Sequence, residues 1–119
     1  LSNDCRNITA AAAEGNHRAE LAVKILTNGI KKHIGSYVAE MNGIDALVFT
    51  AGIGENQANI RAMACEDMEF FGIKMDEAVN MSTRGENKLI STPDSKVKVV
   101  VIPTDEEFMI ASDTYDLVK

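Results

Sequence analysis

Apolar residues recur at Leu21, Ala22, Ile25, Leu26, Ile30, Ile34, Tyr37, Val38 and Met41, the i, i+3, i+4 spacing of a long amphipathic helix. The pattern predicts a helix from Ala19 to about Met41, stopped by Asn42-Gly43. Glu20 and Lys24 stand one turn apart on its solvent side, in the favourable order. The alanine-rich stretch from Thr9 to Glu14, ended by Gly15-Asn16, reads as a short separate helix. Ala46 to Thr50 is a brief apolar run bounded by turn residues, which predicts a buried strand. Helical spacing returns from Glu55 to about Cys65, with Ile60 and Met63 inward. Phe70, Phe71 and Ile73 form an apolar patch around Gly72, and the polar segment from Asn80 to Asn87 reads as an exposed loop. Lys88 to Ser91 and Lys96 to Ile102 are strand-like, separated by the turn sequence Thr92-Pro93-Asp94-Ser95. Val97, Val99 and Val101 share one strand face, and Val100 and Ile102 the other, which predicts cover on both sides. Beyond Pro103, Asp105 to about Leu117 reads as a terminal helix with Thr104 as its N-cap. Helices interleaved with strands in this order predict a layered α/β unit.

Composition narrows the partners. A chain of 119 residues is one domain or part of one, able to bury roughly two-thirds of its unfolded surface. The net charge of −6 disfavours a nucleic-acid backbone or an anionic membrane. A nucleotide stays open as a ligand, because backbone amides and a cation can hold its phosphates. No apolar run approaches the ~20 residues of a membrane helix. Cys5 and Cys65 form neither a CxxC pair nor a disulfide framework, which predicts a reduced, cytoplasmic chain. The sequence opens at Leu1, within a motif and without an initiator methionine, and so is expected to be a piece of a longer polypeptide.

Three segments carry candidate chemistry. Val48 to Asn56 joins a strand pattern to the turn Gly52-Ile53-Gly54 and then to a helix start. Such a junction aims backbone N–H groups at whatever lies in the turn, and phosphate is a usual occupant. The segment lacks a P-loop signature and the third glycine of a dinucleotide fingerprint, so an ordinary turn fits equally. Asn56 fits either a phosphate or ribose donor or a helix cap. Glu106 and Glu107 open the last helix, either as complements to its dipole or with one carboxylate directed at a cation. Asp4 and Arg6 flank Cys5, as a solvated ion pair or as a purine-stacking guanidinium with a carboxylate acceptor. His17 and His33 have no metal-ligand spacing and read as surface residues.

In combination these segments are specific. Ser2-Asn3-Asp4-Cys5-Arg6, the long helix, Val48-Phe49-Thr50-Ala51-Gly52-Ile53-Gly54-Glu55-Asn56, and Ile102-Pro103-Thr104-Asp105-Glu106-Glu107 follow one another in an order that resembles the C-terminal part of the acetokinase family, the acetate kinases. The likeness runs from Ser2 to about Thr114. It implies a partial ribonuclease H-like (actin-like ATPase) domain, an α/β fold with a mixed sheet and flanking helices. By the same resemblance residues 1–119 form the C-terminal nucleotide-side portion of that domain. Asp4, Cys5 and Arg6 would flank the base and ribose of ATP or ADP, and Gly52, Ile53, Gly54, Glu55 and Asn56 would line the nucleotide site. Glu106 would serve Mg²⁺. The implied reaction is reversible transfer of the γ-phosphoryl of ATP to acetate, giving acetyl phosphate and ADP, in a homodimer. The acetate pocket and the groups around the transferring phosphoryl have no counterpart here, so the chain alone is expected to be inactive. A propionate or other short-chain acyl kinase, or a standalone nucleotide-binding or dimerisation module, are the alternatives. Ala51 and Cys5 depart from the family's frequent Gly and Phe at those places.

Overall fold

The computed structural model describes residues 2–119; Leu1 lies outside the described residues. Helix α1, Cys5–Ala13, starts four residues earlier than its alanines suggest, because the Asp4 carboxylate accepts from Arg6 N and caps it. Helix α2, His17–Glu40, matches the long periodic segment and is capped by the Asn16 side chain. Asn42 and Gly43 stop it with φ of 56° and 117°, both in the left-handed region. Its buried stripe is Ala19, Val23, Thr27 and Ile34. Leu21, Ile25, Tyr37 and Met41, expected inside, are more than half exposed, because α2 carries a second apolar stripe that nothing among the described residues covers.

Strand β1, Ala46–Phe49, and strand β3, Lys98–Val101, pair in parallel with Ala46 opposite Lys98 and Phe49 opposite Val101. Strand β2, Lys88–Leu89, adds to the far side of β3 antiparallel, giving the order β1-β3-β2. The sheet is mixed, as expected. The strand expected to be buried, β1, is an edge strand with Ala46 and Val48 exposed. The expected cover on both faces of β3 also fails: Val97, Val99 and Val101 are buried, while Ile102 is exposed and Val100 only half-buried.

Between β1 and β3 the expected single helix is two. Helix α3, Ala51–Asn56, and helix α4, Ala58–Cys65, are separated at Gln57, whose backbone leaves the helical region. A 3₁₀ turn, Glu69–Phe71, ends at Gly72 in the left-handed region, and leaves Phe70 in solvent rather than in an apolar patch. The expected exposed loop from Asn80 begins instead inside helix α5, Glu77–Ser82, with Asn80 and Thr83 fully buried. Ile34, Phe49, Ala64, Cys65, Met68, Ile73, Ile90, Val97, Val99 and Val101 form one core between the inner sheet face and α2 and α4. Helix α6, Glu106–Val118, is capped by Asp105, not Thr104, and buries none of its residues. No helix among the described residues is long and apolar enough to cross a membrane.

Candidate functional site around helix α3

Phe49 is fixed in the core, and the chain leaves the sheet through Thr50 in extended conformation before turning into α3. The turn is made at Ala51, whose φ of 58° is one that an L-residue other than glycine adopts at a cost. The two glycines are not in the left-handed region. Each is needed for, or tolerant of, something else. A Cβ on Gly54 would meet the Phe49 carbonyl carbon at 3.2 Å, so Gly54 lets α3 lie against the strand end. A Cβ on Gly52 would meet nothing within 4 Å, which leaves its backbone approachable from solvent. Ala51, Gly52 and Ile53 are all exposed. The helix is only six residues long, so its macrodipole is small and any anion here rests mainly on individual N–H groups.

Helix α3 is held from below by Arg61, which is fully buried. Its Nη1 donates to the carbonyls of Gly54 at 2.8 Å and Glu55 at 2.9 Å. Nε donates to Asn80 Oδ1 at 2.7 Å, and Nη2 to the carbonyls of Asn80 and Thr83 at 2.8 and 2.9 Å. All five guanidinium donors are thereby used. Burial, and secondly the nearby Arg84 charge, pull the Arg61 pKa below the ordinary arginine value; a guanidinium stays charged regardless. Asn80 completes the arrangement by donating Nδ2 to Ala58 O at 2.9 Å. Among the described residues no buried side-chain polar atom is left without a partner.

Two other segments reach the C-terminal end of the same helix. Glu55 Oε1 accepts from Thr104 N at 2.9 Å and from Thr104 Oγ1 at 3.2 Å, which brings α3 against the entry to α6. Glu106, two residues on, is exposed on the first turn of α6 beside Glu107. Asn56 Nδ2 donates back to Gly52 O at 3.1 Å, and Arg84 Nη1 donates to Asn56 O at 3.2 Å. On the other side, Thr9 of α1 places its Oγ1 3.5 Å from Gln57 Oε1. Asp4 and Arg6, one turn before Thr9, make an exposed ion pair at 2.6 Å. The Arg6 side chain is the main cause that holds the Asp4 carboxyl down at about 2. Cys5, half-buried, faces Ile8, Ala22, Val23 and Leu26 across a small cleft of about 210 Å³. Cys65 is buried, which pushes its thiol up to about 12 and leaves it inert.

The structure thus brings Thr9 of α1 and Thr104 before α6 to the C-terminal end of α3, at Gln57 and Glu55, while the Asp4 and Arg6 side chains pair with each other. Sequence reasoning passed over Arg61, Asn80 and Thr83 as parts of the site, and read Thr104 only as a helix cap. One signal was available: Arg61 falls on the same helical stripe as Ala58, Ala64 and Cys65, where a cation demands a buried partner.

A mixed sheet whose first strand delivers the chain into a short glycine-bearing helix, with helices packed on one face, is part of an actin-like ATPase domain. The sequence model of the acetokinase family matches residues 1–112. The chain belongs to the acetokinase family. Acetate kinase of Bacteroides thetaiotaomicron is 57% identical over 119 residues, covering 100% of this chain and 30% of that protein. The crystal structure of Porphyromonas gingivalis acetate kinase superposes with a TM-score of 0.91 at 52% identity, again over 100% of this chain and 30% of the other. A propionate kinase from Francisella tularensis matches 92% of this chain and 27% of its own, with a TM-score of 0.81 at 39% identity. The chain therefore spans about 30% of the length of the curated relatives it matches.

Proposed function

We propose that this chain is the C-terminal, nucleotide-side portion of an acetate kinase. The complete enzyme transfers the γ-phosphoryl of ATP to a carboxylate oxygen of acetate, with ADP leaving, and runs the reverse reaction from acetyl phosphate. The meeting of α1, through Thr9, and of the entry to α6, through Thr104, at the C-terminal end of α3 carries the reading. The approachable backbone of Gly52 to Asn56 lies along the phosphates, and Asp4, Cys5 and Arg6 flank the base and ribose. The exposed Glu106 carboxylate fits a hard cation held mostly by phosphate oxygens and water, since Mg²⁺ needs few protein ligands. When bound, Mg²⁺ supplies charge neutralisation to the transferring phosphoryl.

No residue here has been assigned to the acyl acceptor, so the isolated chain is inactive. The complete enzyme is a cytoplasmic homodimer, a reading supported by the two free thiols and by the uncovered apolar stripe of α2. The match to a propionate kinase favours one second reading, a short-chain acyl kinase with another acceptor, decided by kcat/KM for acetate against propionate in the complete enzyme.

Gly52→Val tests the nucleotide assignment, because a Cβ at this exposed position meets nothing within 4 Å. In the complete polypeptide it raises the KM for ATP on the order of tenfold, by obstructing backbone contacts to phosphate, and leaves the KM for acetate alone. An unchanged KM for ATP, or acetate-dependent ADP formation by the purified 119-residue chain, overturns the proposal.

A further inference from the structure

We infer that Arg61 is a positioning residue for the nucleotide, acting through the Gly54 and Glu55 carbonyls to hold α3 in its binding geometry. The inference rests on the assignment of α3 to the nucleotide site. Arg61 lies wholly beneath the helix and is 0% exposed, so it touches no ligand itself. Its partners divide into two sets. One nitrogen, Nη1, spans the two carbonyls at the end of α3. The other two are seated on Asn80 and Thr83, at the end of α5. The guanidinium is thus a bracket between the helix that would carry the phosphates and a rigid part of the core.

The chemistry explains why an arginine is used. The last carbonyls of a helix have no partners within it, and carry its negative dipole end. A six-residue helix has little else to fix it, since Gln57 interrupts the backbone immediately after Asn56. A cation placed under those carbonyls satisfies them and locks the helix at once. Only a planar fork reaches both sides; a lysine ammonium is a point charge with three donors. The acceptors are all neutral carbonyl oxygens, four of the main chain and one of the Asn80 side chain. No carboxylate competes for Arg61, so its orientation is set by four backbone carbonyls and the Asn80 amide oxygen. A second clamp, the Glu55 carboxylate on Thr104, acts on the same turn from the α6 side.

The test is steady-state kinetics and hydrogen exchange on the complete polypeptide carrying Arg61→Lys, Arg61→Gln or Asn80→Ala, at a temperature well below each variant's Tm. The expected result is a rise in the KM for ATP on the order of tenfold for Arg61→Gln and less for Arg61→Lys, with the KM for acetate unchanged. Amides of residues 52–56 exchange faster in each variant, while those of β1 and β3 do not. Asn80→Ala, which spares the two α3 bonds, gives the smallest effect and serves if the Arg61 variants do not fold. A lowered Tm with both KM values and the α3 exchange unchanged overturns the inference, as does misfolding of all three variants. If Gly52→Val raises the KM for ATP and the Arg61 variants do not, the inference alone fails. If neither does, the nucleotide assignment fails with it.

Discussion

At the scale of single residues, the junction between sheet and site is strained at one position. Ala51 has φ 58°, and the left-handed region costs a residue with a Cβ roughly 1–2 kcal/mol. Glycine loses more backbone freedom on folding, which offsets part of that cost. Ala51→Gly is therefore expected to stabilise the complete protein by about 0.5–1 kcal/mol, read from the urea midpoint at constant slope. The position was visible in sequence as a departure from the family's frequent glycine, but its meaning was not, because a backbone angle has no letter. Arg61 was legible as a cation on a buried stripe, but its partners were not, for a similar reason. Four of its five acceptors are main-chain carbonyls, which any residue supplies, so no spacing of side chains could announce them. Glu106 and the glycines were legible because their chemistry is in the side chain, or in its absence.

Among the elements, α5 shows where polarity misleads. Asn80, Ser82, Thr83 and Arg84 read as solvent-facing, yet Asn80 and Thr83 are buried because Arg61 gives their carbonyls a partner. What starts the helix is Asp76, whose carboxylate accepts from Val79 N at 3.0 Å. Asp76→Ala is expected to cost about 1 kcal/mol. The loss is measurable by denaturant unfolding and accompanied by faster exchange through residues 77–83. The long helix α2 was legible to within two residues, since many apolar positions vote for one period. Helices α3 and α4 were merged, since six and eight residues hold too few turns for a phase change at Gln57 to register. The cap of α6 moved one residue, from Thr104 to Asp105, because Thr104 is occupied by Glu55.

For the molecule as a whole, size and shape disagree. A compact chain of this length has a radius of gyration of about 13.5 Å, and this one has 16.4 Å over extents of 53 × 38 × 28 Å. Phe108, Met109, Ile110, Leu117 and Val118 on α6 are all more than half exposed, as is the outward stripe of α2. The layered α/β order was legible from pattern; the exposure was not, because periodicity reports that a residue is apolar and not whether this chain contains its cover. The isolated 119-residue chain is expected to bind the dye ANS strongly and to self-associate at micromolar concentration, seen by fluorescence and size-exclusion chromatography with light scattering. A monomeric, ANS-silent chain would mean that α6 folds back onto α2. The parallel pairing of β1 with β3 has one more effect, on time. Every element from α3 to β2 lies inside the loop that this pairing closes, so the contact is non-local and its entropy is spent before it is rewarded. The final bond of the seam, Ile102 N to Phe49 O at 3.0 Å, is made two residues before the chain turns at Ala51 into α3. The turn into α3 is therefore expected among the last parts to take shape during folding, after the sheet has closed.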